Sequence, residues 1–216
     1  GSTWMVQTLD NDGDGACIAI DPNSGFSSIV YGTHGEATAG ETRLYRNSLD
    51  GESWSRSNIE NWMGQLWGTS HVFDSEGTPA VAYSNADEGH SVFAAWDGEM
   101  WQKLIIDPDS GTEPPSLEFT VGDSPAVAYF DEDVSNPALR YGQYDGETWN
   151  PTPIAYAPMI YGIDLEFTPA GQPAISYYMS DGANPSLHYA TFDGEMWSDE
   201  NLLSGASGGT THLELD

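Results

Sequence analysis

The 216 residues are enough for one domain or one repeat array, and 34 Asp and Glu against 5 Lys and Arg give a formal net charge of −29. Nucleic acids attract Lys and Arg, so we expect no nucleic-acid partner for this acidic chain. The longest apolar runs are only a few residues, so we expect no insertion into a membrane. With 8 Trp, 11 Tyr and 7 Phe, the chain is too aromatic for a disordered tail. Cys17 is the single cysteine, which excludes an internal disulfide bond.

An internal repeat organises the sequence. The pattern Asp-Gly-x-x-Trp occurs four times, and its Trp residues are 47, 48 and 48 positions apart. A period of this length suits a four-stranded blade of a β-propeller. The Asp, Gly and Trp positions of the four copies are Asp50, Gly51 and Trp54; Asp97, Gly98 and Trp101; Asp145, Gly146 and Trp149; and Asp193, Gly194 and Trp197.

In chain order, a strand over 4–9 comes first and has the pattern of the last strand of a blade. Four repeats follow, over approximately 16–62, 69–107, 116–156 and 164–203, and each contains four strand-like runs, A to D. An A-type strand over 212–216 ends the sequence. The sequence therefore predicts a single all-β domain over 1–216, a propeller-type array of four-stranded antiparallel blades, four complete and a fifth incomplete.

The B runs show the strand pattern most clearly. Pro79 to Tyr83, Pro125 to Tyr129 and Pro173 to Tyr177 alternate small residues with Val, Ile or Tyr. Small residues on one face let the next sheet approach, while the larger ones fill the gap on the other side. The Asp-Gly pair between runs C and D is typical of a type I′ hairpin, which makes C and D antiparallel neighbours.

The Asp-Gly-x-x-Trp turn resembles the Asp-box repeat of sialidase-type propellers, and Ser48 to Trp54 comes closest to its usual form. The wider repeat is similar to bacterial secreted propeller repeats and, more distantly, to fucose-binding propeller lectins. The resemblance implies that the turn has a structural role and no catalytic one. Its Asp caps backbone amides, and its Trp packs between sheets. It also implies inter-blade sugar sites that combine an Arg with an acidic or amide group and an aromatic ring, for which Arg140 in the third repeat and Arg43 or Arg46 in the first are the candidates.

The acidic stretch that precedes the first A run fits the start of a calcium loop. Asp10, Asp12 and Asp14 alternate along it, Gly15 permits a sharp turn, and Asp21 falls at the twelfth loop position. The alternative is a solvated acidic turn between runs D and A. Calcium is the only cofactor that the sequence predicts.

A row of carboxylates appears when the A runs are aligned. Glu118, Glu166 and Glu214 share one position, and A is the innermost strand of a propeller blade. We expect these side chains to converge on the central channel, where they are either solvated or joined by a cation.

The leading functional hypothesis is a non-catalytic, extracellular or cell-surface binding module with an acidic, calcium-ordered loop face and a protein or glycan ligand. The first alternative is a propeller lectin. The second is a glycoside hydrolase that uses paired carboxylates, although the sequence selects no pair among its acids. The charge is also compatible with adaptation to high salt.

The unfinished fifth blade predicts self-association, or a chain excised from a longer one. The runs at 4–9 and 212–216 each lack a neighbouring strand, and an unpaired apolar edge recruits another chain.

Overall fold

The computed structural model describes residues 5–34, 41–108, 110–133, 135–182, 184–205 and 208–215.

The described chain forms four antiparallel four-stranded sheets, each built from four consecutive strands in the order of the sequence. Sheet 1 contains β1 Gly13–Ile20, β2 Ser27–His34, β3 Glu41–Leu49 and β4 Trp54–Met63. Sheet 2 contains β5 Thr69–Phe73, β6 Pro79–Asn85, β7 His90–Trp96 and β8 Trp101–Asp107. Sheet 3 contains β9 Ser116–Phe119, β10 Pro125–Asp131, β11 Ala138–Tyr144 and β12 Trp149–Tyr156. Sheet 4 contains β13 Met159–Phe167, β14 Pro173–Ser180, β15 Ser186–Phe192 and β16 Trp197–Ser204.

The predicted all-β class is confirmed, and the four sheets are the four complete blades. The described residues include no helix long and apolar enough to cross a membrane. The first strands of successive sheets contact one another, β1 with β5, β5 with β9 and β9 with β13. These first strands therefore line the inner side of the stack.

The hydrophobic core lies between the sheets, and the alternation of the B strands builds it. Val81 and Tyr83 of β6 pack against sheet 1, whereas Ala80 and Ala82 of the same strand pack against sheet 3. Buried Trp101 lies in the core between sheets 1 and 2. Each sheet thus offers its large residues to the preceding sheet and its small residues to the next.

The turns between the third and fourth strands differ in detail from the predicted type I′ hairpin. A type I′ turn places both Asp and Gly at positive φ. Here the four Gly residues have φ between +98° and +102°, but Asp123 is the sole non-glycine residue at positive φ in the described chain. The loop has four residues, closed in the third blade by the Asp145 amide donating to the Thr148 carbonyl. The reason is the Asp side chain, which accepts the amide hydrogens of Glu147 and Thr148 and so favours a wider turn.

The two predicted terminal strands are not formed. Residues 5–9 and 212–215 carry no strand, and Trp4 and Asp216 lie outside the described residues. A strand needs a neighbour to pair its backbone groups, and neither run has one. Leu213 nevertheless takes the place of a first-strand residue. Its amide donates to Asp164 Oδ2 at 2.5 Å. In the same way, the amide of Leu165 in β13 donates to Ser116 Oγ of the preceding sheet at 3.0 Å.

The outer face of sheet 1 is partly apolar. Ile18 and Ile20 of β1 are exposed, and so is Phe26 in the following turn. Self-association through the incomplete terminal blade, as the sequence predicts it, stays a prediction.

Candidate functional site

A cup of about 310 Å³ opens where the starts of successive first strands meet. Its wall is formed by Thr69 and Ser70 of β5, by Ser116 of β9 with the segment before it, and by 162–164 of β13. Residues 209–211 of the C-terminal segment complete the wall. Because these are the innermost strands of three sheets, the cup is the mouth of the central channel.

Trp67 supplies the aromatic surface of the cup. It lies between β4 and β5 and is 61% exposed, although Leu66 beside it is buried in the core between sheets 1 and 2. Burial of Leu66 anchors the segment, so the neighbouring indole is held at the rim. An exposed indole in a cavity is a typical contact surface for the apolar face of a ligand.

Two carboxylic acids with raised pKa values line the same cup. Burial raises the pKa of Glu113, and the negative charge of Glu132 adds to the effect. Burial also raises the pKa of Asp164, although the Leu213 amide and His212 oppose it. Both groups hold a proton to higher pH than an exposed carboxyl does, so the cup combines a ring with hydrogen-bonding acids.

Gly162 allows the C-terminal segment to close the cup. Its φ of +61° coincides with the irregular register between Tyr161 and Asp164 of β13. A Cβ atom at Gly162 would lie 3.1 Å from the Gly209 carbonyl oxygen and from Thr210 Cα. Any larger residue would therefore push the segment away, and with it Thr211, whose hydroxyl donates to the Gly162 carbonyl at 2.5 Å.

The predicted carboxylate row lies below the cup. Burial raises the pKa of Glu118 to about 8, and the charges of Glu166 and Asp164 contribute. Burial likewise raises the pKa of Glu166, with contributions from Asp164 and Glu214. The structure therefore places Glu118 of β9 and Glu166 of β13 within electrostatic reach of each other, and Glu214, which lies outside any strand, within reach of Glu166.

The four predicted calcium ligands are not brought together. Asp10 contacts Arg56 at 2.8 Å, Asp14 accepts the Gly15 amide, and Asp21 accepts the Asn23 amide and the Ser24 hydroxyl. Within the described residues no group of three or more His, Cys, Asp and Glu side chains is placed to hold a metal ion. Asp10 and Asp21 are held by Arg56 and by their own turn as they stand, and calcium binding by this loop stays a prediction.

The predicted sugar-binding arginines lie in two different sheets, Arg43 and its alternative Arg46 in sheet 1 and Arg140 in sheet 3. Arg43 pairs with Thr33 in sheet 1. In sheet 3, Arg140 donates through Nε to the buried Asp131 at 2.5 Å. Arg140 thus neutralises a buried carboxylate, and the structure does not bring it together with Arg43.

The four turn aspartates each accept hydrogen bonds within their own turn. Asp97, Asp145 and Asp193 each accept two backbone amide hydrogens, and Asp50 accepts the amide and hydroxyl of Ser53. The amide of Thr148, with the Asn150 side chain, lowers the pKa of Asp145 to about 2. Trp101, Trp149 and Trp197 pack between successive sheets at the equivalent place.

A Ser-His-Asp chain occurs in sheet 4. His188 Nε2 lies 2.9 Å from Ser186 Oγ, and His188 Nδ1 lies 3.1 Å from Asp199. Ser186 and His188 are buried, and the Tyr177 hydroxyl also donates to Asp199 at 2.8 Å. The buried hydroxyl has no access to a substrate, so this chain cross-links β14, β15 and β16 within sheet 4.

Sequence reasoning missed Trp67, Glu113 and Asp164 as one site. Trp67 was recognisable as an aromatic residue outside the repeated Trp position, and Asp164 as the acidic counterpart of Ser70 and Ser116. Their convergence depends on the curvature of the stack, which no spacing in the sequence reveals.

The chain matches no family model, and no curated protein matches its sequence. Among solved structures it is similar to an ulvan lyase of polysaccharide lyase family PL25 (TM-score 0.62, 12% identity), covering 93% of this chain and 60% of that one. It is also similar to the fucose-specific lectin from Aleuria aurantia (TM-score 0.54, 15% identity; 82% and 56%) and to a glycosyl hydrolase from Bacteroides ovatus (TM-score 0.55, 13% identity; 86% and 68%). The fold is a β-propeller, and the chain spans 56% to 68% of the length of these proteins.

Proposed function

We propose that this chain is a carbohydrate-binding β-propeller module whose axial cup receives a glycan. The observation that carries the proposal is Trp67, an exposed indole over a cavity that also presents Glu113 and Asp164. A sugar ring presents C–H groups on its face and hydroxyls at its edge. The indole suits the first, and carboxyl oxygens and backbone groups suit the second.

Structural similarity supports this choice of ligand class. The similar propellers include a fucose-specific lectin, an ulvan lyase and a glycosyl hydrolase, all proteins whose names concern sugars. The acidic cup favours neutral or basic sugars over anionic ones, because Glu113 and Asp164 would repel a carboxylate. An extracellular or cell-surface location fits such a ligand and stays a prediction.

The test is a glycan array followed by titration of the best ligand against Trp67→Ala. We expect affinity to fall at least about tenfold, equivalent to about 1.4 kcal/mol, because the stacking surface is lost. Tyr156→Ala is the matched control, since Tyr156 is 58% exposed and outside the cup. Unchanged binding in Trp67→Ala would show that the cup is not the glycan site.

A second candidate function is glycan cleavage at the same cup. It is favoured by the raised pKa values of Glu113 and Asp164, because a general acid must keep its proton near neutral pH. Glu113→Gln and Asp164→Asn would then each abolish turnover of a cleaved glycan while leaving its binding in place. An absence of turnover across neutral and acidic polysaccharides, with binding intact, would leave the module as a lectin.

A further inference from the structure

A second hollow, of about 430 Å³, opens beside the cup where sheets 3 and 4 meet. Glu113 lines both cavities, so the hollow and the cup share one wall. Glu132 lines the hollow but not the cup. The rest of the lining is apolar and consists of Phe130, Pro137, Pro158 and Met159. The hollow therefore combines two carboxylates with an apolar wall.

The apolar wall rests on the core between sheets 3 and 4. Phe130, near the end of β10, is 4% exposed and belongs to that core. The Ala157 amide donates to the Pro137 carbonyl at 3.2 Å, which joins the segment before β11 to the segment before β13. Met159 is 53% exposed, although Ile160 beside it is fully buried in the same core. Burial of Ile160 thus holds the accessible Met159 side chain at the hollow, where it can pack against a ligand.

Glu132 is exposed, yet its carboxylate is held in place. Its Oε1 accepts the Thr112 amide at 3.1 Å and lies 3.3 Å from the Thr112 hydroxyl, which also donates to it. Gly111 permits this approach, because a Cβ atom there would overlap the carboxyl group of Glu132. Glu113 follows Thr112 directly. The same short segment therefore fixes Glu132 and brings Glu113 to the same hollow.

Two carboxylates at one hollow favour a cationic ligand. Burial raises the pKa of Glu113, and the negative charge of Glu132 adds to the effect. A cation beside such a pair relieves the repulsion between like charges. Arg140, a cation of the same sheet, is already held by Asp131 at 2.5 Å. Within the described residues no group of three or more His, Cys, Asp and Glu is placed to hold a metal ion, so an organic cation matches the hollow better.

We propose that this hollow docks a lysine side chain of a protein partner. The four methylenes of lysine lie along Phe130 and Met159, and the compact ammonium group lies beside Glu113 and Glu132. The net charge of −29 makes the surface complementary to a basic segment. The proposal does not depend on glycan binding in the cup.

The apolar wall favours a lysine over an amino sugar, which carries the same ammonium group. The wall would leave the ring hydroxyls of a sugar without hydrogen bonds, whereas the stem of lysine has no polar atom. Apolar surface also continues beyond the hollow. Tyr156 is 58% exposed and pairs with Ala138, next to Pro137. This surface can receive the residues that flank the lysine in a peptide chain.

The experiment is an NMR titration of the whole chain with acetyl-Ala-Lys-Ala-amide and with its norleucine analogue, which has the same stem without the ammonium group. At fixed ionic strength, we expect the lysine peptide to bind at least about fivefold more tightly and to shift the Met159 methyl and Thr112 amide signals. Glu132→Gln keeps an oxygen for Thr112 but removes the charge, so it should abolish the preference. Glu147→Gln, on an exposed turn, deletes the same charge and should leave the preference unchanged.

The proposal is wrong if the two peptides bind alike, or if the preference survives in Glu132→Gln. Equal loss in Glu147→Gln would make the preference an effect of net charge. Methyl β-glucosaminide that binds as tightly as the lysine peptide, with the same shifts, would assign the hollow to a sugar. If Glu132→Gln unfolds, Met159→Ser should still weaken the lysine peptide, and unchanged binding there would contradict docking. Trp67→Ala should leave the lysine preference intact, so this site and the cup can fail separately.

Discussion

Two sets of carboxylates in this protein have opposite electrostatic environments. The inner-strand residues Glu118 and Glu166 are partly buried and feel each other's charge, and burial raises the pKa of each. The turn aspartates, such as Asp145, are solvent-exposed and accept amide hydrogens, which lower the pKa. Acidic residues therefore destabilise the fold at the channel when ionised and stabilise it at the turns. Net charge alone hides this difference.

The largest effect is expected at Glu118. Its pKa of about 8 in the folded chain exceeds the ordinary 4.5, so folding binds a proton and stability falls as pH rises through that window. Glu118→Gln should match the natural chain near pH 4 and exceed its unfolding free energy by about 1–3 kcal/mol at pH 9. Urea denaturation across this pH range measures it. Glu147→Gln, on an exposed turn, is the control and should leave the pH profile unchanged; an unchanged profile in Glu118→Gln would contradict the buried environment.

Removal of both inner carboxylates tests whether they act as a pair. The charge of Glu166 contributes to the raised pKa of Glu118, so Glu166→Gln should bring the Glu118 pKa down towards its ordinary value. In a double-mutant cycle at pH 9, the double variant should therefore gain less unfolding free energy than the sum of the two single variants, by about 1 kcal/mol. Strictly additive gains would show that burial acts on each residue separately.

A smaller effect of opposite sign is expected at the turns. The lowered pKa of Asp145, about 2 against an ordinary 3.8, stabilises the fold above pH 4, and this contribution is lost as pH falls towards 2. Asp145→Ala should lower the melting temperature at pH 7 and flatten its decline on acidification. Glu147→Ala, in the same turn, should do neither. If both variants behave alike, the cap at this turn contributes nothing specific.

The sequence predicted the blades well because their determinants are local and repeated. The period of the Trp residues, the alternation at Pro79 to Tyr83 and the Asp caps at the turns each act within a few residues. The cup depends on contacts between sheets instead. Trp67 reaches the mouth of the channel only because Leu66 is buried beneath it, and Asp164 only because β13 is irregular at Gly162. Such long-range placement leaves no periodic trace in a single sequence.

The smallest effect is expected from calcium, and it concerns a third set of acids in the segment that leads into β1. The amide of Asp12 and the charge of Arg56 lower the pKa of Asp10 against the effect of burial, while the hydroxyl of Ser24 lowers that of Asp21. These bonds already stabilise each carboxylate where it stands. A calcium ion would have to break the contact of Asp10 with Arg56 and the bonds of Asp21 in its turn, and that rearrangement would consume most of the binding free energy.

We therefore expect calcium, compared with chelator at equal ionic strength, to raise the unfolding free energy by less than about 1 kcal/mol. In a chain of this size, that corresponds to a rise in melting temperature of less than about 4 °C. Magnesium is the ion control and Asp12→Asn the variant control. A larger rise that calcium alone produces and that Asp12→Asn abolishes would show that the loop closes around the ion, as its sequence predicts.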